Sequence, residues 1–199
     1  LETAAYQYMF GESLLVAPVF FGGNIREVYL PEGKWIDWWT GEEHLGPKII
    51  NYHVASNVIP VFIKKGSIIP MLPSGVETLL PVETKGIVGR GQDLELEVYP
   101  EEESILKMHD GQEFRVIAHD TGLRVDFKNV KTKELTIKLM GLSGLEPEKT
   151  EGCKVVGCAP AIPATANIER RAYGQPGTQF VITPQCKEGF LEVRKSREE

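Results

Sequence analysis

The sequence has few cysteines, no long apolar run and none of the short motifs that mark common catalytic sites. Three cysteines among 199 residues are an odd number and too few for a disulfide framework. No apolar stretch approaches the roughly 20 residues needed to span a bilayer. Glycine-rich phosphate loops that end in lysine, Gly-x-Ser-x-Gly elbows and His-Glu-x-x-His motifs are absent. These absences argue against a disulfide-rich scaffold, a membrane-spanning helix and several classes of enzyme.

An excess of positive charge is also lacking. The chain has 22 Lys and Arg residues against 28 Asp and Glu residues, a net charge of −6. Nucleic acids and anionic membranes attract clustered cations, so neither is expected as a partner. Cys153 and Cys158 are five positions apart and the four histidines are scattered, which does not match zinc-ligand spacing. We therefore expect no metal and no cofactor, and free thiols that weakly favour a reducing, cytoplasmic compartment.

What the sequence does contain, at its start, is an apparent helix end followed by an apolar strand. Residues 3–10 are interpreted as the last turns of a helix, with Gly11 as its left-handed cap. Residues 14–21 (LLVAPVFF) are apolar at nearly every position, which predicts a strand buried on both faces, as in a parallel sheet. A helix followed by such a strand is half of an α/β unit. Residues 1–22 are therefore expected to be the remnant of a larger domain.

From residue 22 onward, short strand-like segments alternate with Gly, Pro and Asn. Turns are predicted at residues 31–33 and 40–41, and residues 73–91 are interpreted as a connection to a second unit. Strands in the first unit are predicted at residues 26–30, 34–39, 48–53, 61–64 and 67–70.

The second unit shows clearer alternation of apolar and polar residues. Asp110-Gly111 predicts a hairpin between residues 105–109 and 112–118. Strands with one apolar and one solvated face predict an antiparallel β-sandwich. Such alternation occurs at residues 93–99, 123–128 and 134–139, and shorter segments follow at 180–182 and 191–193.

All three tryptophans lie in the segment Trp35-Ile36-Asp37-Trp38-Trp39. On a strand, Trp35 and Trp39 share one face, while Ile36 and Trp38 share the other. One hypothesis is that the rings form a platform on which sugars stack, with Trp38 and Trp39 as substrate-binding residues. The other is that one face belongs to the core and the second to a domain interface, which is favoured because tryptophan is usually buried.

Asp37 could also serve as a catalytic carboxylate. Glycoside hydrolysis requires two carboxyl groups about 5–9.5 Å apart. No sequence pattern pairs Asp37 with a second acid, and Glu42-Glu43 follows a predicted turn. A structural role is therefore favoured for Asp37.

Three segments resemble glycoside hydrolase family 31, which contains α-glucosidases and α-xylosidases. Residues 6–19 (YQYMFGESLLVAPV) resemble the end of the family's catalytic barrel. The proximal C-terminal sandwich of the family is matched by residues 26–35 (REVYLPEGKW), 38–41 (WWTG) and 59–70 (IPVFIKKGSIIP). From about residue 92 the resemblance is thinner, although residues 94–100 and 109–111 are similar to the distal sandwich. Residues 144–177 match nothing familiar and are interpreted as an insertion or a divergent region.

The resemblance implies a parent enzyme that is a retaining α-glycosidase, with one Asp as nucleophile and a second as acid. In the family both acids precede the apolar segment matched by residues 14–19, and the nucleophile lies in a Trp-x-Asp-Met-x-Glu motif. Trp35-Ile36-Asp37 imitates that motif for three residues only and falls downstream of it. No catalytic residue is therefore assigned to this chain.

The resulting prediction is a mainly β chain with two consecutive antiparallel β-sandwiches, preceded by a short helix-strand remnant of a (β/α)8 barrel. The remnant is placed at residues 1–22, the proximal sandwich at 23–85 and the distal sandwich at 86–199. The expected partner is the upstream catalytic barrel of the same protein, which the chain supports without being catalytic alone. Carbohydrate is a possible ligand, and self-association through residues 14–21 is a further expectation. The alternative function is a free-standing carbohydrate-binding module that uses Trp35, Trp38 or Trp39.

Overall fold

The chain is almost entirely β in a computed structural model that describes residues 6–20, 22–55, 58–73, 78–81, 89–90, 93–161 and 177–196. None of the helical structure in these residues is long and apolar enough to cross a bilayer. The described strands are β1 (Tyr8–Phe10), β2 (Leu14–Val16), β3 (Ile25–Asp37), β4 (Glu43–His53), β5 (Val61–Lys64), β6 (Ser67–Met71), β7 (Thr78–Pro81), β8 (Gly89–Arg90), β9 (Leu94–Tyr99), β10 (Glu103–Lys107), β11 (Glu113–His119), β12 (Gly122–Lys128), β13 (Leu135–Leu139), β14 (Leu145–Glu151), β15 (Cys153–Ala161), β16 (Gly177–Pro184) and β17 (Gly189–Lys195).

Three five-stranded sheets contain most of these strands. Sheet I has the order β1-β2-β5-β3-β4, sheet II the order β15-β16-β13-β9-β6 and sheet III the order β10-β11-β12-β17-β14. Pairing within the three sheets is antiparallel except between β9 and β13, which run parallel with Leu94 opposite Leu135. The short strands β7 and β8 form a separate parallel pair.

Sheets II and III share one apolar core. Leu96 and Ile137 of sheet II, and Phe114, Val125 and Leu191 of sheet III, belong to the same buried cluster. Along β12 the inward residues alternate with Arg124 and Asp126, which face outward, because successive strand side chains point to opposite faces. The predicted alternation at residues 123–128 is therefore confirmed.

Sheet I has a smaller apolar core of its own. Its longest strand, β3, has 13 residues and shifts register between Leu30 and Gly33. Gly33 has a φ of 119°, a conformation that glycine adopts most easily, and the irregularity bends the strand. The core of sheet I contains buried residues from three strands and the segment after β2, with two half-buried residues of β4 packed beside them: Leu15, Ala17, Val28, Leu30, Trp35 and Phe62, with Ile50 and Tyr52. The predicted turn at 31–33 is therefore a bulge within one long strand, not a break between two.

The N-terminal segment differs from expectation in two respects. Residues 8–10 form strand β1 instead of helix, and residues 3–5 lie outside the described residues. Gly11 has the expected left-handed φ, 65°, but it turns the chain from β1 into β2. Strand β2 pairs antiparallel with β1 and β5, so the expectation of a parallel sheet is wrong. A helix-strand barrel remnant is not confirmed.

The second unit also departs from the pattern of one solvated face per strand. All six residues of β9 are buried, including Glu95 and Glu97. The hairpin at Asp110-Gly111 is confirmed, because β10 and β11 pair around it. Strand β6 pairs with β9, so the chain enters sheet II before the proposed division at residue 85. Most of the predicted connection at 73–91, and residues 162–176 of the unmatched segment, lie outside the described residues.

Candidate functional site

The three tryptophans have different surroundings. Trp35 is 2% exposed inside sheet I, and its Nε1 donates a hydrogen bond to the Pro31 carbonyl at 2.9 Å. Trp38 lies with Ile36 on the opposite face, against a cluster that contains Ile69. Trp35 therefore offers no surface to a sugar ring, and the predicted division between Trp35 on one face and Ile36 with Trp38 on the other is present.

Trp39 follows the end of β3 and is half-buried. Its Nε1 donates a hydrogen bond to the Ile59 carbonyl at 2.6 Å, which holds the indole against the segment before β5. Of the three tryptophans, Trp38 and Trp39 retain some exposed surface.

Asp37 organises the turn that contains these rings. Its Oδ1 accepts hydrogen bonds from the backbone N–H of Trp39 at 2.6 Å and of Thr40 at 3.2 Å, and its side chain is bonded to the Tyr52 hydroxyl. The residue is 2% exposed. Burial, and then the neighbouring Asp37 carboxylate, raise the pKa of Tyr52. The geometry assigns Asp37 to fixing the turn, a role that Asp side chains commonly have.

Two further buried carboxylates lie on β9. The Glu95 carboxylate accepts a hydrogen bond from Lys138 Nζ of β13, and both side chains are 7% exposed. The Tyr99 hydroxyl donates to Glu97 Oε2 at 3.1 Å. Charged groups are costly to bury unless they are paired and hydrogen-bonded, and these contacts supply that compensation.

An aromatic surface lies at the N-terminal end of sheet I. We define it by Tyr6, Tyr8, Phe10 and Phe20, which are 48%, 53%, 66% and 64% exposed. The rings of Tyr6 and Phe20 are 5.9 Å apart, and Tyr8 and Phe10, two residues apart on β1, share one face of that strand. Large aromatic side chains clustered on a surface are typical of an interaction site.

The cysteines do not form a metal site within the described part of the chain. Cys153, Cys158 and Cys186 are free thiols, and the described residues contain no group of three or more potential ligands. Burial raises the pKa of the Cys153 thiol, whose Sγ lies 3.4 Å from the Phe190 carbonyl. This keeps Cys153 protonated and unreactive.

A known protein family matches about the first third of the chain. Residues 1–69 match the family model described as the glycosyl hydrolase family 31 C-terminal domain. Residues 1–69 therefore belong to a family 31 C-terminal domain. The family match includes residues 6–20, which the structure places in sheet I together with the following strands.

Curated relatives that match this region include an isomaltosyltransferase and an alpha-xylosidase. An isomaltosyltransferase of Sporosarcina globispora is 48% identical over 66 residues, covering 33% of this chain and 6% of that protein. An alpha-xylosidase of Saccharolobus solfataricus is 34% identical over 106 residues, covering 52% of this chain and 13% of that protein. The chain therefore spans a small fraction of the relatives it matches.

Solved structures extend the likeness beyond the family match. A protein from Listeria monocytogenes EGD-e aligns with 96% of this chain and 19% of its own, at 26% identity and a TM-score of 0.63. A family 31 dextranase from Flavobacterium johnsoniae aligns over 96% of this chain and 27% of its own, at 19% identity and a TM-score of 0.62, which indicates a shared fold. The arrangement of the three sheets therefore recurs as part of longer proteins.

Sequence reasoning found the tryptophan segment but missed the aromatic surface. Tyr8 and Phe10 are two positions apart, which is typical of a strand. This segment is interpreted as a helix end, so the strand pattern is not used. A period of two at residues 6, 8 and 10 was the available signal.

Proposed function

We propose that this chain is the non-catalytic C-terminal region of a retaining α-glycosidase that hydrolyses terminal α-linked glucose or xylose from oligosaccharides. In this proposal the region supports the catalytic barrel that precedes it. Residues 1–22 adjoin the barrel, residues 23–85 form a proximal sandwich and residues 86–199 form a distal one. The family match over residues 1–69 and the names of the relatives support the enzyme class.

The observation that carries the supporting role is the aromatic surface of Tyr6, Tyr8, Phe10 and Phe20. Each of these side chains is about half exposed or more, yet each belongs to a type that dominates buried interfaces. The surface belongs to the first strand and to the loop after β2, which are the parts of the described chain closest in sequence to an upstream domain. Docking against the barrel would remove this apolar area from water.

The environments of the buried carboxylates support the absence of a catalytic pair from this region. Asp37 accepts two backbone hydrogen bonds, Glu95 is paired with Lys138 and Glu97 is bonded to Tyr99. A retaining glycosidase needs two carboxyl groups about 5–5.5 Å apart that face the sugar across a cleft. The contacts of the three acids are internal to the fold instead.

The first experiment measures hydrolysis of nitrophenyl α-glucoside and nitrophenyl α-xyloside by the isolated 199-residue chain. We expect no turnover. Turnover that a single carboxylate substitution within the chain abolishes would overturn the assignment of catalysis to another part of the protein.

The second experiment tests docking in the parent polypeptide that carries a barrel before this region. A specific protease site is inserted at the junction, and gel filtration after cleavage shows whether the halves remain together. We expect them to stay associated in the wild type and to separate when Phe10→Ser and Phe20→Ser are combined. Val156→Ser is the matched control, because Val156 is 52% exposed on β15, outside the aromatic surface.

Two results of that experiment would contradict the supporting role. Separation of the wild-type halves would show that the aromatic surface does not hold the barrel. A dimer of the isolated chain that the Phe20 substitution alone disrupts would instead favour self-association through residues 14–21.

The alternative function is a carbohydrate-binding module that uses Trp38 and Trp39. The observation that favours it is the fixed orientation of the Trp39 indole, which Ile59 holds through Nε1. Titration calorimetry with maltose and longer α-glucans tests it. Saturable heat that is lost in Trp38→Ala or Trp39→Ala would support the module, and no heat would support the scaffold.

A further inference from the structure

The outer face of sheet III contains an open concavity of about 650 Å³. It is lined mainly by residues of β10, β11, β12 and β17, and Phe114 and Phe127 of the core that sheets II and III share also reach its lining. Its volume is within the range of small-molecule sites, about 300–1,000 Å³. Neither the tryptophan segment nor the aromatic surface contributes to it.

Strand register brings charges of both signs together in this concavity. Lys107 is opposite Glu113, and Glu113 is opposite Lys128 on the next strand. In the adjacent row, Arg115 is opposite Asp126, which is itself opposite Phe190. The two hairpins bring the residues of β10, β11 and β12 together, and Phe190, which is distant in sequence, joins them because β17 pairs with β12.

The charges that line the concavity balance. The four cations are Lys107, Arg115, Arg124 and Lys128. The four carboxylates are Glu113, Asp126, Glu151 and Glu188. A strongly charged ligand of either sign would therefore meet as much repulsion as attraction, and an apolar ligand would remove these charges from water without compensation.

Two residues that line the concavity, Arg124 and Asp126, are held by contacts within sheet III. The Arg124 guanidinium lies 3.7 Å from the centre of the Phe190 ring, its Nε donates to Asp126 at 2.8 Å and its Nη1 donates to Glu192 at 2.9 Å. Groups that are already held in place lose little conformational entropy when a ligand binds. Arg124 and Asp126 therefore present fixed polar atoms to the concavity.

Other charged side chains that line the concavity have hydrogen-bonding groups that are not used in ion pairs. Among the residues that the structure describes, Lys107, Glu113, Lys128 and Glu188 form no ion pair within 4.0 Å. Ammonium groups donate three hydrogen bonds and carboxylates accept several. Ile105, 55% exposed, adds an apolar surface beside them.

We propose that this concavity binds a neutral, polyhydroxylated ligand of the oligosaccharide class. Each ligand hydroxyl can donate to Glu113, Asp126 or Glu188 and accept from a neighbouring cation. The C–H faces of a sugar ring suit the Ile105 side chain. This site does not include the aromatic surface or the tryptophan segment. The proposal is therefore tested independently of the proposed function.

The experiment is a titration of the isotopically labelled 199-residue chain with maltotetraose and with isomaltotetraose, followed by nuclear magnetic resonance. We expect saturable shifts of the backbone amides of Arg115, Asp126 and Phe190. The double variant Glu113→Ala with Lys128→Ala should weaken binding about tenfold or more, because it removes two charged groups that would form hydrogen bonds with the ligand. Both replaced side chains lack ion pairs among the described residues, so the variant should keep the wild-type spectrum elsewhere.

Lys133→Ala with Glu134→Gln is the matched control, since both residues are exposed before β13 and do not line the concavity. It should bind like the wild type. The proposal is overturned if neither sugar shifts these amides, if the shifts are confined to Trp38 and Trp39, or if the double variant binds unchanged. Tighter saturable binding of an uncharged Ser-Gly peptide at the same amides would overturn the ligand class.

Discussion

The side-chain amide of Gln7 forms two hydrogen bonds with the backbone of Tyr29. Gln7 Nε2 donates to the Tyr29 carbonyl at 2.7 Å, and Gln7 Oε1 accepts from the Tyr29 N–H at 2.9 Å. Strand β5 pairs with β3 only at residues 35–37, so this part of the β3 edge has no strand beside it in sheet I. Arg26 strengthens the closure by donating to the carbonyls of Pro18 and Tyr6. The N-terminal segment thus covers the part of the β3 edge that has no neighbouring strand.

Gln7→Ala should destabilise sheet I. Because Tyr29 would lose partners for both backbone groups in a half-buried position, the free energy of unfolding should fall by about 1–3 kcal/mol. Urea denaturation measures this loss, and hydrogen exchange should show faster exchange of the Tyr29 amide. Gln185→Ala is the control because Gln185 is exposed, and it should leave stability unchanged. Equal stability of the Gln7 variant and the wild type would contradict the closure.

Tyr52 should make the protein sensitive to alkali. Its pKa is raised in the folded state, mainly by burial, so the folded chain retains the phenol proton at a pH where the unfolded chain loses it. Stability that is present below the unfolded value of about 10 should fall as the pH rises above it. Thermal unfolding between pH 8 and pH 11 measures this slope. Tyr52→Phe should flatten this slope, and an identical slope in the variant would refute the assignment.

Substitutions of Glu95 and Lys138 should have strongly non-additive effects on the free energy of unfolding. Lys138→Met leaves the Glu95 carboxylate buried without its partner, which typically costs about 3–5 kcal/mol. Adding Glu95→Leu removes the unpaired buried charge and should recover most of the lost stability. A double-mutant cycle from urea denaturation measures the coupling. The exposed pair Arg194–Glu148 is the control and should couple by less than about 1 kcal/mol. Additive effects at Glu95 and Lys138 would disprove the buried pairing.

Gly189 permits the close approach of β14 and β17. A Cβ at this position would lie 2.2 Å from the Glu151 carbonyl oxygen and 2.6 Å from Phe127 Cζ. Gly189→Ala should therefore lower stability by about 1–3 kcal/mol through overpacking. At Gly157 the nearest atom to an added methyl group would be Val181 Cβ at 3.6 Å, an ordinary contact, so Gly157→Ala should be neutral or slightly stabilising. Similar melting temperatures for both variants would contradict the packing.

Much of the second unit could be predicted locally. The inward residues of β12 and the Asp110-Gly111 hairpin follow from alternation and turn chemistry alone. The same reasoning failed on β9, since alternation places Glu95 and Glu97 together on one face but cannot show whether that face is covered. Burial of the second face depends on which parts of the fold pack over it.

The candidate sites were harder to anticipate. The sequence placed Trp35 and Trp38 on opposite faces, and both faces proved to adjoin apolar clusters. The sheet III concavity could not be foreseen, because Lys107, Lys128 and Phe190 become neighbours only through strand pairing.

The sequence by itself determined the resemblance to family 31, the β character and the inward residues of the alternating strands, because these depend on motifs and on side-chain period along the chain. The tertiary structure decided that residues 8–10 form a strand, that Gln7 closes sheet I and that β9 is buried on both faces. Those outcomes depend on hydrogen bonds and packing between segments far apart in sequence, and local propensity is too weak to override them.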